Sequence, residues 1–338
     1  MNEDPKFQKP EEVIHTPPEF AVAEEELHTP LDEEVVAGTS LWKDAWRRLL
    51  KNRLAVFGMI VVVLVAIASV IGPPIIKRAT GFSPDYIPTD AALLKSFPPF
   101  TAPDGSFSWT HPMGTDNSGR DIMARVLQGG QISLMVGVIA TIVSLFIGVA
   151  YGAIAGYLGG RIDNVMMRFV DILYSLPYII LVIVLLAMFR SSTAVGQLVL
   201  LFVALGSVSW LTMARIVRGQ VLSLKNQEFV LAARATGVST SRIIFRHLVP
   251  NTLGPVIVYA TLTIPTVMLS EAFLSYLGFG VQPPLASWGS LAAEGIQNIA
   301  IFPWQLIFPG LTMAITLFSL NFLGDGLRDA LDPQMRKV

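Results

Sequence analysis

The sequence predicts an all-α polytopic membrane protein with six transmembrane helices and a large polar loop between the fourth and fifth helices. Hydrophobic residues make up 52% of the 338 residues, charged residues only 14%, and the mean hydropathy is +0.57. Such values are typical of a polytopic membrane protein rather than of a soluble domain. The chain has no cysteine, which excludes a disulfide framework, a thiolate metal site and a cysteine nucleophile.

The first forty residues differ in composition from the rest of the chain. Residues 1–40 carry eleven Asp or Glu and two Lys, whereas the remainder has a net charge of +8. A Glu-, Pro- and Thr-rich segment without apolar periodicity predicts a disordered acidic tail on the cytoplasmic side. Its simplest interpretation is a solvated tail of no specific role.

Six apolar segments are long enough to cross a bilayer, whose core of about 30 Å requires roughly 20 residues of helix. They cover residues 54–76, 132–157, 172–189, 191–214, 248–270 and 295–324. The last is longer than one span, so we expect its first part to lie outside the membrane. The first begins too far along the chain for a cleavable signal peptide and is expected to be a retained anchor. With the amphipathic segment before it, it forms an N-terminal unit of residues 41–76.

The distribution of Lys and Arg predicts the orientation of these spans. With the N-terminus inside, 18 of the 24 Lys and Arg fall on the inner side. Both termini are therefore predicted to be cytoplasmic, including a C-terminal segment of residues 325–338. The membrane core then covers residues 132–324. Residues 77–131 become a long external loop, 158–168 a short internal turn, 190–195 a tight external turn, and 279–303 an external interfacial or re-entrant scoop.

The large internal loop, residues 226–250, is the most informative part of the sequence. Good helix formers run from Glu228 to Thr236, and Gly237 supplies a turn because glycine alone adopts positive φ freely. Ser239, Thr240 and Ser241 are candidate N-caps for a second helix. A helix–turn–helix loop with small residues at its centre can be gripped by another protein. The positive-inside rule accounts for its arginines but not for such a hairpin.

Several residues of this loop are candidate contacts for that partner. Ala232 and Ala233 predict a low-relief surface that another protein's groove can admit. Arg242 and Arg246, four residues apart, share one face of the second helix with His247 beside them. Pro250 is expected to end the loop where the fifth span begins.

A second set of candidates belongs to a translocation pathway: Pro177, Pro265, Ser270 and Glu271. The two prolines, like Pro255, interrupt helical hydrogen bonding, which fits either a conduit or ordinary kinks. An acid at membrane depth is a functional candidate by default. Glu271 is expected to face a solvated vestibule, to pair with Arg120 or Arg125, or to be exposed at the outer interface.

Two further patterns predict helix packing. Gly148, Gly152, Gly156 and Gly160 recur every four residues, which predicts either close helix packing within one bundle or a moving interface between subunits. Asp171, one helical turn after Arg168, is expected to form a local ion pair with it.

Enzymatic chemistry has little support in the sequence. It has no Gly-x-x-x-x-Gly-Lys-[Ser/Thr] phosphate loop, no His-Glu-x-x-His and no Gly-x-Ser-x-Gly, and its four histidines are scattered. We expect no catalytic, cofactor or metal site and no nucleic-acid partner.

The polar loop resembles the Glu-Ala-Ala loop of binding-protein-dependent ABC transporter permeases. The resemblance rests on the pattern LAA-x3-G-x9-H-x-VP of residues 231–250. Leu231 stands where the family pattern has Glu, and Val249 where it has Leu; Glu228, one turn earlier, offers an acid on a nearby face. In the family this loop is a coupling helix seated in a groove of a cytoplasmic ATPase. The resemblance thus implies ATPase coupling for residues Glu228, Leu231, Ala232, Ala233, Arg234, Gly237, Arg242, Arg246, His247 and Pro250.

Other segments are similar to the oligopeptide and dipeptide permease C subunits of that family. They are SLWKDAWRRLLKNR (40–53), HPMGTDNSGRD (111–121), SLMVG (133–137), GYLGGRID (156–163), EAFLSYLG (271–278), SWG (287–289) and GDGLRDALDP (324–333). Their order and spacing are specific, although each alone is weak.

The resemblance implies the fold of a type I ABC importer permease in the bacterial plasma (inner) membrane. It also implies import of oligopeptides, with dipeptides next and nickel or another solute as an alternative. The implied partners are a second permease in a heterodimer, one or two ATPases that bind ATP and Mg²⁺, and an extracytoplasmic solute-binding protein. A secondary transporter or a channel subunit is the alternative of a different class, although no inverted repeat is evident.

Overall fold

A computed structural model describes residues 41–90 and 93–331 of the chain. The predicted acidic tail and residues 332–338 of the predicted C-terminal segment lie outside the described residues. The described part contains ten helices: α1 (Leu41–Lys51), α2 (Arg53–Thr80), α3 (Ile122–Leu158), α4 (Gly160–Tyr174), α5 (Tyr178–Met188), α6 (Ala194–Leu224), α7 (Glu228–Ala235), α8 (Thr240–Tyr276), α9 (Trp288–Ile296) and α10 (Trp304–Leu331). Within the described ranges the only β-type pairings are two isolated bridges, so the predicted all-α class is confirmed.

Five of these helices, α2, α3, α6, α8 and α10, are long and apolar enough to cross a membrane. The α4–α5 pair supplies a sixth span if its two helices count as one, and these two helices are bent by 84° at their junction. The sequence therefore predicted the number of spans well, but the third span is not one straight helix. At 1.5 Å per residue, the 11-residue α5 is only about 16 Å long and cannot cross a bilayer core alone.

The prediction of a short internal turn at residues 158–168 was wrong, because α4 begins at Gly160. The turn is confined to Gly159 and Gly160, both at positive φ (63° and 56°). The third span is broken between Tyr174 and Tyr178, where the sequence predicted an interruption at Pro177. Pro177 precedes α5 there, and a proline lacks an N–H and disfavours helical backbone in the residue before it.

Helix ends also extend into the predicted external loop of residues 77–131. α2 continues to Thr80, where Gly81 closes it at φ 80°, and α3 already begins at Ile122. The early start of α3 follows from Asp121, whose carboxylate accepts a hydrogen bond from Ala124 N at 2.7 Å. The expectation that the sixth apolar segment begins outside its span is confirmed, because α10 begins at Trp304.

Glycines bring α3 and α6 into backbone contact. A Cβ atom added to any of three α3 glycines would collide with α6. It would meet Met213 at Gly148, Ala214 at Gly152 and Arg218 at Gly156. These three glycines thus serve close packing inside this chain, the first of the two predicted interpretations. Gly160 departs from the pattern, because it opens α4.

Candidate functional site

The predicted helix–turn–helix loop is present at the junction of α6 and α8. α7 runs from Glu228 to Ala235, and its buried stripe consists of Val230 and Ala233. Both pack in one cluster with Ile243, Ile244 and Leu248 of the helix that follows. The hairpin is therefore a packed unit with its own apolar core.

The turn of the hairpin is held by two backbone hydrogen bonds. Gly237 has φ +76°, its N–H donates to Arg234 O at 3.0 Å, and Val238 N donates to Ala233 O at 3.1 Å. This is the Schellman pattern, in which a glycine just past the helix end satisfies the last carbonyls. Val238 also packs against the cluster that contains Ala233. Gly237 therefore makes the turn that the sequence predicted.

The outward face of α7 differs from the predicted one. Ala233 is buried, so the low-relief surface is formed by Ala232 together with Ala235. At about 100° per residue, Glu228 and Leu231 lie on the same outer side. Pairing Ala232 with Ala233 was wrong because neighbouring helical positions point in directions about 100° apart.

The second helix begins at the first of the three predicted N-cap positions. Ser239 is its N-cap residue, although its side chain makes no capping hydrogen bond, and the helix is continuous from Thr240 to Tyr276. Pro250 therefore lies inside α8 and does not end the loop. A π-helical segment, Ile243–Leu248, ends two residues before it. Short π-helical segments inside α-helices are often found at functional sites.

The basic residues of this second helix form its outer surface. Arg242 and Arg246 are exposed, and His247 is half-buried, with its carbonyl accepting a hydrogen bond from Asn251 Nδ2 at 2.6 Å. Phe245, between them, is exposed as well. Sequence reasoning missed Phe245 and the exposed Phe229 of α7, whose only signal is a large apolar residue inside a polar segment.

Several contacts connect the hairpin to the helices around it. The guanidinium of Arg234 lies over the ring of Tyr157, at 4.9 Å from its centroid, and Arg234 Nε donates to Tyr157 Oη at 3.3 Å. Lys225 Nζ donates to Gly156 O at 3.2 Å. Lys225, just before the loop, and Arg234, near the end of α7, are thus both held against the last turn of α3.

Two ion pairs connect α4 to α6 near the same end of the bundle. Arg218 donates to Asp163 through Nε at 2.6 Å and Nη2 at 2.7 Å, with the carboxylate buried. Arg215 Nη2 donates to Asp171 Oδ1 at 2.7 Å. The predicted partner of Asp171, Arg168, was therefore wrong. Sequence proximity suggested it, whereas the actual partner comes from another helix.

A cavity of about 630 Å³ lies between α4, α5, α6 and α8. Its lining consists entirely of aliphatic side chains, Ser, Thr and Tyr, and includes Tyr178, Ser209, Thr263, Thr266 and Ser270. A second cavity of about 360 Å³ shares Tyr259 and Leu262 with it and reaches Pro255. One side of α8 thus lines open space from residue 255 to residue 270.

The four predicted pathway residues separate in the structure. Ser270 lines the larger cavity. Pro177 lies at the α4–α5 break, between two lining residues, and Pro265 is buried inside α8. Glu271 is fully buried, so exposure or a vestibule position for its side chain was wrong. Its Oε1 accepts hydrogen bonds from Ser275 Oγ at 2.7 Å and Ser287 Oγ at 2.6 Å, which link α8 to the start of α9.

The predicted arginine partners of Glu271 bind other carboxylates. Arg125 Nη1 contacts Asp116 Oδ2 at 2.7 Å and Glu294 Oε2 at 2.8 Å, and Arg120 Nε contacts Asp116 Oδ2 at 2.7 Å. This cluster lies at the end of the bundle opposite the hairpin. It joins the α2–α3 segment to α9 and α3. The predicted scoop of residues 279–303 accordingly contains a helix, α9, held to the bundle.

The motif HPMGTDNSGRD (111–121) builds the structure around that cluster. His111 Nδ1 lies 2.8 Å from Asp121 Oδ2, and Thr115 Oγ1 accepts from Phe97 N at 2.7 Å. Gly114 and Gly119 both have positive φ. The motif is therefore explained by local folding and by the cap of α3.

Comparisons with known proteins agree with this architecture. Residues 148–337 match the family described as "Binding-protein-dependent transport system inner membrane component", and residues 40–99 match the "N-terminal TM domain of oligopeptide transport permease C". One chain of the MetNI methionine ABC transporter in an inward-facing crystal form superposes with a TM-score of 0.50 and 22% identity, covering 62% of this chain and 98% of that one. It supports the fold alone.

Three curated relatives are much closer in sequence. The oligopeptide transport system permease protein OppC of Escherichia coli K12 is 50% identical over 301 residues, 89% of this chain and 94% of the relative. OppC of Bacillus subtilis is 45% identical (88% and 91%), and the dipeptide permease DppC of B. subtilis is 44% identical (88% and 87%). The chain belongs to the binding-protein-dependent ABC transporter permeases, in the branch of the oligopeptide and dipeptide permease C subunits.

Proposed function

We propose that this chain is the transmembrane subunit of an ATP-driven importer of peptides, with oligopeptides as the first choice and dipeptides as the second. The observation that carries the proposal is the exposed α7–α8 hairpin in a chain 50% identical to an oligopeptide permease. A second permease would complete the pathway, and one or two ATPases would supply the free energy. An extracytoplasmic binding protein would deliver the peptide.

The hairpin lies at the end of the bundle that we assign to the cytoplasm. Ala55 at the start of α2 lies against Gly326 near the end of α10, and Gly72 near the end of α2 lies against Leu127 near the start of α3. α2 and α3 therefore run in opposite directions, and the first turns of α2 lie at the same end of the bundle as the last turn of α3. That turn contacts Lys225 and Arg234, so the hairpin lies at this end as well. The excess of Lys and Arg on that side supports a cytoplasmic location for it.

The contacts of the hairpin suit it to transmit force. Val230 and Ala233 anchor α7 on the following helix, Arg234 contacts α3, and the Asp163–Arg218 pair ties α4 to α6. A displacement of α7 by an ATPase would thus move α3, α4, α6 and α8 together. Closure of two ATPases would draw the two permeases' hairpins together, closing the inner side of the pathway and opening the outer side.

The larger cavity suits a peptide of any side-chain charge. Ser209, Thr263, Thr266 and Ser270 donate their hydroxyl protons to carbonyls of their own helices, at distances between 2.7 and 3.2 Å. Their oxygens remain available as acceptors for backbone N–H groups of a peptide. A lining without charges neither attracts nor repels an ionised side chain, which fits a permissive pathway.

Replacement of Gly237 tests the coupling role. Nothing lies within 4 Å of a Cβ at this position, so Gly237→Val acts through backbone strain at positive φ and not through a clash. Gly219→Val is the matched control, because Gly219 is helical and equally unobstructed. In proteoliposomes containing the two permeases, the ATPases and the binding protein, we expect Gly237→Val to lose stimulation of ATP hydrolysis by the peptide-loaded binding protein. The control should retain it.

Two results would contradict the assignment. Normal stimulation with Gly237→Val would show that hairpin geometry does not couple the ATPases to this chain. Peptide transport by this chain without an ATPase would favour a secondary transporter or a channel. Capture of an ATPase that is lost on deletion of residues 228–247 would separate those classes from the permease.

A further inference from the structure

The helix α1 buries one stripe of its surface against the rest of the protein, and Asp44 and Arg48 beside that stripe are half-buried. Ala45 and Leu49 are buried in a cluster with Ala55 of α2 and Ala330 of α10. Positions four apart lie on one side of a helix, so this stripe covers a narrow arc. The other sides of α1 face away from the cluster.

Beside the buried stripe, the surface of α1 is first apolar and then basic. Trp46 and Leu50 come next and remain 54% and 48% exposed, although both are large and apolar. Arg47 and Lys51 lie a further turn of about 100° away from them and are exposed too. An apolar edge therefore lies between the protein-packed stripe and a basic face.

The position of α1 along the chain places this edge at a membrane boundary. α2 begins at Arg53, and the Asn52 side chain accepts hydrogen bonds from Leu54 N at 3.1 Å and Ala55 N at 3.2 Å. Only 17% of the most apolar window of α2 is buried, and Leu54 and Phe57 are exposed in its first turns. Leu50 of the apolar edge thus lies only four residues before Leu54, which is on the exposed apolar surface of the first span.

We propose that α1 is a binding site for anionic phospholipid. Trp46 and Leu50 enter the boundary between acyl chains and headgroups, while Arg47 and Lys51 contact the headgroup phosphates. A helix with an aromatic apolar side and a Lys/Arg-rich polar side binds in this plane, and anionic lipid strengthens the binding. The proposal requires that α2 crosses the membrane; it does not depend on coupling to an ATPase.

The acidic segment of residues 1–40 is the other candidate to bind the basic face of α1, but the apolar edge favours lipid. The acidic segment could neutralise Arg47 and Lys51, but its apolar residues have no periodicity that would form a continuous apolar face over the Trp46 side chain. Anionic lipid supplies both the negative charge and the apolar medium. The experiment therefore also measures lipid preference in a variant that lacks residues 2–39.

Site-specific fluorescence quenching tests the proposal, since the chain has no native cysteine. Leu50→Cys, carrying a bimane label, is placed in full-length protein in nanodiscs that contain brominated phosphatidylglycerol or brominated phosphatidylcholine. We expect the label to be quenched preferentially by the anionic lipid. The preference should fall by roughly fivefold for each charge removed in Arg47→Gln and Lys51→Gln.

A label at Leu64→Cys, on the exposed side of α2, provides the matched control and should be quenched equally by both lipids. Equal quenching at position 50, or a preference unchanged in the two glutamine variants, would overturn the proposal. A preference that appears only after deletion of residues 2–39 would assign the basic face to the acidic segment and would overturn it as well. A preference that survives the deletion would support lipid binding.

Discussion

Two arginines that bind the same carboxylate oxygen should differ sharply in their contribution to stability. Arg120 Nε and Arg125 Nη1 both lie 2.7 Å from Asp116 Oδ2, but the exposed fractions of their side chains are 18% and 4%. Arg125 also donates two hydrogen bonds to Glu294, at 2.8 and 3.1 Å. We therefore compare Arg125→Ala with Arg120→Ala.

The expected magnitude follows from the burial of each partner. A hydrogen bond to a charged group contributes about 1.5–3 kcal/mol, and removal of one member of a buried pair costs roughly 3–5 kcal/mol. After the Arg125 substitution, Asp116 still has its ion pair with Arg120. The Glu294 side chain is 43% exposed, so its carboxylate can be hydrated by solvent. The loss for Arg125→Ala should therefore lie at about 2–4 kcal/mol. For the less buried Arg120 it should be about 1 kcal/mol.

Thermal unfolding of the purified chain in detergent is the measurement. With an unfolding entropy of about 2.1 cal/mol/K per residue, the 338-residue chain loses about 1.4 °C per kcal/mol, so Arg125→Ala should lower the midpoint by roughly 3–6 °C. Arg120→Ala should lower it by only about 1–2 °C. Equal shifts for the two variants, or an unchanged midpoint for Arg125→Ala, would refute the reasoning that burial decides the strength of this cluster.

Three further predictions concern the interior. Gly152→Leu places a side chain against the Ala214 carbonyl, so we expect little folded chain by size-exclusion chromatography, and a wild-type yield would contradict the α3–α6 contact. The single variants Asp163→Arg and Arg218→Asp should each lose thermal stability, and the double variant, which restores an opposite-charge pair, should recover part of it. Additive losses in the double variant would argue against the pair. Ser270→Trp fills the larger cavity, so peptide uptake by the reconstituted complex should fall while ATP hydrolysis persists, and unchanged uptake would remove the cavity from the pathway.

Features that depend on local backbone chemistry were predictable from the sequence. Gly237 was assigned to a turn because glycine adopts positive φ freely, and its φ of +76° confirms the turn. The spans were predictable because a helix in lipid must satisfy its backbone internally and cover itself with apolar side chains. The coupling role of the loop and the membrane side on which it lies stay predictions.

Features that depend on which helices meet were decided by the tertiary structure. Asp171 pairs with Arg215 of another helix and not with Arg168, its neighbour in sequence. Glu271 is buried against Ser287, and its predicted partners Arg120 and Arg125 bind other carboxylates. Hydropathy and helical spacing specify which residues can be buried, but they contain no distance between residues far apart in the chain.

By itself, then, the sequence determined the helical class, the apolar spans, the hairpin turn and the family. Only the tertiary structure decided that the interruption at Pro177 is a bend of 84°, that Ala232 faces outward while Ala233 packs inward, and that Ser270 and not Glu271 lines the cavity. The physical reason is that backbone conformation and burial in lipid act on neighbouring residues. The direction and partner of a side chain depend instead on how complete helices pack against one another.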